Sequence, residues 1–225
     1  MVSQFVSNLH LPISQVRLET YRPPNASDLE MVTNYFWNID LAEALVPSLH
    51  AAELALRNSI HSALAAHFGT DMWFYQPKLL EGRELGDFAR ALMKVSRKGP
   101  LTVDRIVSSL MLGFWVSMLN SPYEQKLWSA NHYALVRTVF PNATGSRKDI
   151  SDRFVMIKDL RNRVFHLEAV WNDPNLLIKH QHIHEAISWI SPTLRQAIHA
   201  VDNFPGVFHE RAQVHADLKQ HLGLP

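Results

Sequence analysis

Apolar residues recur every three or four positions along most of the chain, and this spacing is typical of amphipathic helices. The longest regular run extends from Asp40 to His67, and Gly69 stands where a helix is expected to end. Pro47 lies early in this run and predicts either a break near its start or a kink. No segment of useful length alternates apolar and polar residues, and no Asn-Gly hairpin turn occurs. The pattern therefore predicts an all-α fold.

Turn-forming residues divide the rest of the pattern into further predicted helices. The first follows N-cap candidates at 25–28, and the others cover approximately residues 84–97, 102–119, 123–139, 147–166, 177–190 and 207–222. Ser191 and Pro192 predict a kink at the end of the penultimate helix. We expect one helical domain over residues 1–202 and a short helical extension over residues 203–225.

Composition narrows the classes of protein to which the chain can belong. The 225 residues are 47% hydrophobic and 19% charged, as expected for a globular domain. The absence of cysteine excludes disulfide scaffolds, zinc ribbons, thiol catalysis and iron–sulfur clusters. No apolar stretch approaches the roughly 18 residues of a membrane span, and the first residues do not resemble a signal peptide. We expect a cytoplasmic protein without a membrane partner.

The formal net charge of +1 is the average of two different parts of the chain. Residues 1–56 carry two basic and six acidic side chains, so the remainder has an excess of five positive charges. Two basic clusters stand out: Arg90, Lys94, Arg97 and Lys98, and then Arg147, Lys148, Arg153, Lys158, Arg161 and Arg163. Clustered positive charge indicates a phosphate-bearing partner. The alternative interpretation is that these residues lie on solvated helix faces, because acidic residues are interleaved with them.

Several common catalytic motifs are absent from the sequence. It contains no glycine-rich phosphate loop, no His-Glu-x-x-His helix and no Gly-x-Ser-x-Gly elbow. His180, His182 and His184 suggest a metal cluster, but only the first and last share a helix face, and no acidic residue lies on that face one turn away. We expect these histidines on a solvated surface, and we predict no metal site and no cofactor.

The segment around Arg161 combines three side chains suited to phosphodiester chemistry. On a helix, Asn162 and His166 lie on one face, with Arg161 about 100° away from Asn162. Arginine donates to phosphate oxygens, histidine transfers protons near neutral pH, and asparagine can orient either partner. The simplest reaction for this set is metal-independent RNA cleavage by the ribose 2′-hydroxyl, which DNA lacks. Structural contacts at a helix end are the alternative.

These residues also carry a resemblance to a known family. Arg161, Asn162 and His166 match the Arg-x4-His motif of HEPN-domain ribonucleases, with asparagine after the arginine. Over approximately residues 14–200 the chain resembles the Abi-like (abortive infection) branch of that superfamily. Landmarks in order are Tyr35–Asn38, Glu53–Asn58, Phe68-Gly69, Trp73, Gly113–Trp115, Leu127-Trp128, Phe140-Pro141, Leu160–Glu168 and Trp189-Ile190.

The resemblance implies a HEPN-type helical bundle with additional flanking helices, usually a homodimer whose two motifs face each other across a cleft. It implies an endoribonuclease that acts on RNA in phage defence, or as a toxin held inactive by a protein or RNA antitoxin. Arg161 would then hold the scissile phosphate, Asn162 would position it or the imidazole, and His166 would act as general base or acid. A non-catalytic RNA- or protein-binding module and a purely structural dimer are the alternatives.

Further residues are predicted to support this site. Glu53 and Arg57 are four apart and can pair along one helix face, which places Arg57 or Asn58 near phosphate or merely forms an intrahelical pair. Lys158 and Arg163 add positive charge for RNA, and Glu168 could orient His166.

The segment departs from the pattern of the resembled family on both sides of His166, and one tryptophan differs from the others. The family often has a small residue before the motif histidine and a His-Glu-Pro run after it, where this chain has Phe165 and then Leu167-Glu168-Ala169. Most of the six tryptophans are expected in the core or in dimer contacts, because they lie within apolar helical patterns. Trp171 lies in a polar turn and is a candidate for stacking on a base.

Overall fold

The computed structural model describes residues 2–129 and 133–224, without the side chain of Tyr133. Every regular element in these ranges is helical, so the predicted all-α class is confirmed. The α-helices are α1 Val2–Leu9, α2 Gln15–Glu19, α3 Asp28–Phe68, α4 Gly82–Ser96, α5 Val103–Ser109, α6 Leu112–Ser117, α7 Tyr133–Val139, α8 Arg147–Phe165, α9 Leu176–Ile190, α10 Pro192–Ile198, α11 Phe204–His209 and α12 Arg211–His221. The HEPN-type bundle stays a prediction.

Helix α3 shows how local sequence sets its two ends. Ser27 and Glu30 form a capping box, because the Ser27 amide donates to the Glu30 carboxylate at 2.8 Å and the Glu30 amide donates to the Ser27 hydroxyl at 3.3 Å. The hydrogen bonds from the Ser27 amide and hydroxyl lower the pKa of Glu30. At the other end Gly69 has φ of +66°, the left-handed conformation that ends helices. The helix continues through Pro47, so the predicted break is wrong.

The apolar segment at 102–119 forms two helices instead of the predicted one. The Thr102 hydroxyl caps α5, which ends where Leu110 becomes extended, and α6 begins after Met111. Leu110 and Leu112 are both buried, although two residues apart on one helix they would point about 200° apart. The bend between the helices allows both leucines to enter the core.

Two other predicted helices are also divided. The segment predicted at 123–139 contains 3₁₀ and π turns at Ser121–Tyr123 and Glu124–Trp128 before α7, and residues 130–132 lie outside the described residues. The predicted terminal helix is replaced by α11 and α12, which meet at Glu210. Ser191 caps α10 by accepting from the Leu194 amide at 3.1 Å, which confirms the predicted kink. Helices α1 and α2 were not predicted.

Contacts between Cα atoms divide the chain into two compact units. The first unit comprises Met1–Ser48, Leu160–Gln181 and Ala200–Pro225, and the second comprises Leu49–Asp159 and His182–His199. One boundary falls directly after Ser48, next to Pro47. The single domain over residues 1–202 with an extension over 203–225 stays a prediction.

Each unit has its own apolar core. In the first unit one cluster of buried side chains comprises Val6, Leu18, Tyr21, Met31 and Val32, against which Trp171 and Leu218 pack. In the second unit aromatic rings dominate: Phe74 stacks on Phe88 with centroids 5.0 Å apart, and Trp73 meets Trp115 edge-on at 6.2 Å. Among the helices that the structure describes, none has the length and apolar character needed to cross a membrane.

Candidate active site

The predicted motif lies where α8 ends, inside the first unit. The Leu167 amide donates to the Val164 carbonyl at 3.2 Å, and the Glu168 amide donates to the Arg163 carbonyl at 2.8 Å. These two bonds form a Schellman motif, which requires the residue at C′ to be left-handed. Leu167 occupies that position with φ of +59°, although glycine is the residue usually found there. His166 is therefore the C-cap residue of α8 and immediately precedes the left-handed Leu167.

The three predicted catalytic side chains share this last turn. Arg161 and Asn162 are half-buried, and His166 is exposed. The His166 amide donates to the Asn162 carbonyl at 2.8 Å, which keeps the two residues in helical register. The Arg161 guanidinium carbon lies 4.4 Å from the centroid of the Phe165 ring, a cation–π contact that restrains the plane of the guanidinium. Phe165 thus contacts and restrains the Arg161 side chain.

Arg17 lies far from this turn in the sequence but holds it by a hydrogen bond, and Tyr21 lies next to Arg17. The Arg17 guanidinium donates to the carbonyl of Leu167, the left-handed residue itself. Burial raises the pKa of the Tyr21 hydroxyl, and the charge of Arg17 and its hydrogen bond to that hydroxyl oppose the increase. A side chain 150 residues away in the sequence therefore restrains the turn next to His166.

Asn38 fixes the segment that follows the turn. Its side-chain oxygen accepts from the Val170 amide at 2.6 Å and from the Trp171 amide at 3.1 Å, and its side-chain nitrogen donates to the Tyr21 hydroxyl at 3.4 Å. Asn38 is 5% exposed, and Val170 is fully buried. One side chain thus accepts from two consecutive backbone donors, and the Val170 amide among them is buried.

Arg163 and Glu168, both predicted to support the site, have different surroundings. Arg163 pairs with Asp173 at 3.0 Å and also donates to the Ala169 carbonyl. Both contacts join the end of α8 to the loop that follows it. Burial opposes ionisation of Asp173, but hydrogen bonds from Lys179 and the Asn175 amide and the nearby charges lower its pKa overall. Glu168 is exposed, and its backbone amide completes the helix cap.

A cavity of about 600 Å³ opens beside the turn, within the first unit. Apolar side chains line most of it, among them Tyr35, Ile39, Val164, Phe165 and Leu167. Arg17 and Glu43 add one charge of each sign. Its volume and largely apolar walls are those of a small-molecule site.

The other four predicted residues belong to the second unit. The Arg57 side chain donates to the Asn58 side-chain oxygen at 3.1 Å, and Glu53 is half-buried. The Lys158 ammonium lies 3.2 Å from the Asp159 carboxylate. The support that these residues give to the site stays a prediction.

The surface position predicted for the histidine cluster is wrong for two of its members. His180 and His184 are each 4% exposed. In the first unit His180 lies 3.0 Å from the Asp202 carboxylate, an acidic partner from a different segment of the chain, and stacks on Phe204. In the second unit the His184 ring stacks on His199 with centroids 5.0 Å apart.

The tryptophans behave largely as predicted. Trp37, Trp73, Trp115, Trp128 and Trp189 are all buried. Trp171 is half-buried against the core of the first unit, and its ring stacks on Tyr21 with centroids 6.4 Å apart. Base stacking by Trp171 stays a prediction, but much of its surface is already used in packing.

Comparison with protein-family models, with curated proteins and with solved structures finds no match for this chain. What the site can do is therefore argued from its own geometry. An exposed imidazole, a half-buried guanidinium and a half-buried amide side chain lie within about one and a half turns at the end of α8, and their neighbours Val164, Phe165 and Leu167 line the cavity. Such a set can bind an anionic oxygen and transfer a proton to or from a neighbouring group.

Proposed function

We propose that this chain is a metal-independent endoribonuclease of the HEPN type. The observation that carries the proposal is the exposed His166 at the C-cap of α8, one turn after Arg161 and Asn162. The resemblance to Abi-like proteins supports the same residues. The contacts of Arg17 and Asn38 favour catalysis, because they hold the turn in one geometry before substrate binds.

The proposed reaction is a transesterification within the RNA. The 2′-oxygen attacks the adjacent phosphorus while its proton passes to a general base. The bond between phosphorus and the 5′-oxygen breaks, and a general acid protonates that oxygen. The products are a 2′,3′-cyclic phosphate and a 5′-hydroxyl, and no redox partner is needed.

Each side chain has a defined role in this reaction. Arg161 donates to the non-bridging oxygens as negative charge develops on them, with its plane restrained by Phe165. His166 supplies one of the two proton transfers. Asn162 orients the phosphate or the imidazole. The second proton-transfer group comes from the partner's copy of the motif in a homodimer or from His166 acting in both steps.

The biological role that we propose follows the resemblance. A ribonuclease of this type would act in the cytoplasm in phage defence, or as a toxin restrained by a protein or RNA antitoxin. We expect the wild-type chain to arrest growth when it is produced without its partner. His166→Ala should abolish the arrest, while protein levels remain equal on immunoblots. Arrest by both proteins would contradict the proposal.

Cleavage of labelled RNA by purified variants tests the assignment of residues. We expect His166→Ala to slow cleavage by about 100-fold or more, which is typical when an acid–base group is lost. Arg161→Ala should cost about 100- to 1,000-fold, as for the loss of a donor to a developing oxyanion. His221→Ala, at an exposed histidine of α12, is the matched control.

Two outcomes would overturn the proposal in different ways. Unchanged cleavage by His166→Ala would place the active site elsewhere. RNA binding without cleavage by the wild-type protein would favour the non-catalytic RNA-binding module. Circular dichroism on every variant separates loss of chemistry from loss of fold.

A further inference from the structure

A groove with cationic side chains lies within the second unit, between α4 and the bend that joins α5 to α6. Its volume is about 240 Å³. Arg83, Asp87, Arg90 and Lys94 of α4 line one side of it, and Ser109–Met111 and Gly113 line the other. We call this surface the basic groove.

The cations of the basic groove form a row. Arg83, Asp87, Arg90 and Lys94 follow spacings of four, three and four residues, so their side chains share one helix face. From Arg83 to Lys94 the row extends about 16 Å along the helix axis. Arg97, the C-cap residue of α4, is exposed and continues the same spacing.

The charges in this row can be reached from solvent. The side chains of Arg83 and Arg90 are 73% and 65% exposed, and Lys94 is also exposed. Arg83 pairs with Asp87 at 3.7 Å, and Arg90 also pairs with Asp87. One carboxylate is therefore shared by two of the three cations in the row. Because the two arginine side chains lie largely in solvent, their ion pairs are weak, and the arginines can exchange Asp87 for another anion.

The opposite wall lies close to Arg83. Gly113 has no side chain, and a β-carbon there would lie 3.5 Å from the Arg83 guanidinium, at van der Waals contact, so the groove is narrow at this point. Ser109 is half-buried, and Met111 is 67% exposed at the edge of the groove. The groove thus combines a row of donors on one side with an exposed apolar side chain on the other.

The distribution of charge over the chain favours the second unit for a polyanion. The first unit has seven basic and ten acidic residues, whereas the second has fifteen basic and eleven acidic residues. The unit that carries Arg161 and His166 is therefore net acidic. RNA that reaches the candidate active site needs electrostatic attraction from another surface of the protein.

We propose that the basic groove binds the phosphodiester backbone of single-stranded RNA. A row of cations along a narrow groove matches the single row of phosphates of one strand, and the exposed Met111 can contact an unstacked base. The inference rests on the proposed RNA substrate and adds a second contact region for it. Because the contacts are to phosphate, they carry little sequence preference.

The salt dependence of RNA binding tests this inference in a protein that does not cleave. The protein is the His166→Ala variant, and the probe is a fluorescein-labelled single-stranded RNA of about 15 nucleotides. Its affinity is measured by fluorescence anisotropy between 50 and 200 mM KCl. Each phosphate contact with a single strand contributes about −0.7 to the slope of log K against log salt concentration.

Charge removal in the basic groove should change that slope by a calculable amount. Adding Arg90→Gln and Lys94→Gln should reduce its magnitude by about 1.4 and weaken binding about tenfold or more at 50 mM KCl. The matched control adds Lys78→Gln and Arg195→Gln, which remove two exposed positive charges of the same unit outside the groove. Ser109→Glu keeps all the cations, adds a carboxylate and should also weaken binding.

Each outcome decides between specific alternatives. Equal slopes for the groove and control variants would overturn the inference. So would tighter binding of a polyglutamate peptide than of RNA of equal charge, since this would favour an acidic protein partner. If the wild-type protein does not cleave RNA but the groove variant loses binding, the groove stands and the proposed function falls. If the wild-type protein cleaves RNA but the groove variant binds RNA normally, the proposed function stands and the inference about the basic groove falls.

Discussion

At the scale of single residues, Asn38 links two parts of the first unit that are 132 residues apart in sequence. Its oxygen accepts from the amides of Val170 and Trp171, just after the turn that carries His166. The sequence includes Asn38 in a landmark of the Abi-like resemblance, but nothing in its neighbours predicts these partners. Only the folded chain brings the two segments together.

Replacing Asn38 with leucine should destabilise the protein by about 3 kcal/mol. Leucine has the same number of side-chain heavy atoms in the same branched arrangement, but it cannot accept from the Val170 and Trp171 amides, and a buried donor without a partner costs about 1–3 kcal/mol. Unfolding in urea followed by circular dichroism measures the loss. Asn8→Leu, at an exposed asparagine of α1, is the control and should change stability by less than about 0.5 kcal/mol. Equal losses in both variants would contradict the role of Asn38.

Leu167 is a residue whose conformation could not be predicted from its type. A leucine rarely adopts φ of +59°, and the usual signal for a Schellman cap, a glycine, is absent. The bond from Arg17 to the Leu167 carbonyl and the two capping bonds hold it there. Both Phe165 and Leu167 depart from the family pattern, and both have contacts or conformations here that shape the turn around His166.

Two substitutions of Leu167 measure the free-energy cost of its left-handed conformation. Leu167→Gly should be about 1 kcal/mol more stable than Leu167→Ala, because both remove the side chain but only glycine adopts the left-handed conformation without cost. Urea unfolding of the two variants measures the difference. Equal stability, or a more stable alanine variant, would show that position 167 is not left-handed.

At the scale of elements, the sequence predicts helices best where one apolar stripe meets a clear capping signal. Ser27 and Gly69 mark the two ends of α3, and α4 and α8 lie close to their predicted bounds. The pattern fails at 102–119, where the buried Leu110 and Leu112 continue the apolar run on either side of the exposed Met111. No glycine or proline lies between Thr102 and Leu112, so the sequence does not show where the chain bends at Leu110.

The contact between α3 and the 3₁₀ turn Trp73–Tyr75 should make stability depend on pH. The Trp73 indole donates to the Nδ1 atom of His61 at 3.0 Å, so that nitrogen has to be unprotonated. Burial lowers the pKa of His61, whereas its value in the unfolded chain is about 6.5. The unfolded state therefore binds a proton before the folded state does. The contribution of His61 to the unfolding free energy is complete above about pH 6.5 and decreases as the pH falls toward the folded pKa.

Unfolding free energies measured in urea from pH 8 to pH 5 check this sign. The stability difference between the wild-type protein and His61→Gln should shrink as the pH decreases. His50→Gln changes an exposed histidine of the same helix and should leave a difference that is nearly constant. A difference for His61→Gln that grows toward pH 5 would contradict the neutral imidazole in the folded state.

At the scale of the whole molecule, the candidate site has one part that the sequence predicts and one part that it does not. Arg161, Asn162 and His166 are close in sequence, so a helical pattern is enough to bring them together. Arg17 and the cavity beside Phe165 depend on segments more than 100 residues away, and the sequence contains no signal for them. The net negative charge of the first unit also differs from expectation, because the basic residues of α8 are divided between the two units.

The central claim is that His166 and Arg161 promote attack by a 2′-hydroxyl, and the ends of the RNA products test it most directly. Wild-type protein is incubated with labelled RNA in excess chelator, and the cleavage site is mapped. We predict products with 2′,3′-cyclic phosphate and 5′-hydroxyl ends, and no cleavage when the nucleotide before the site carries 2′-deoxyribose. Products with 3′-hydroxyl and 5′-phosphate ends, a requirement for divalent metal, or no cleavage of any RNA would contradict the claim.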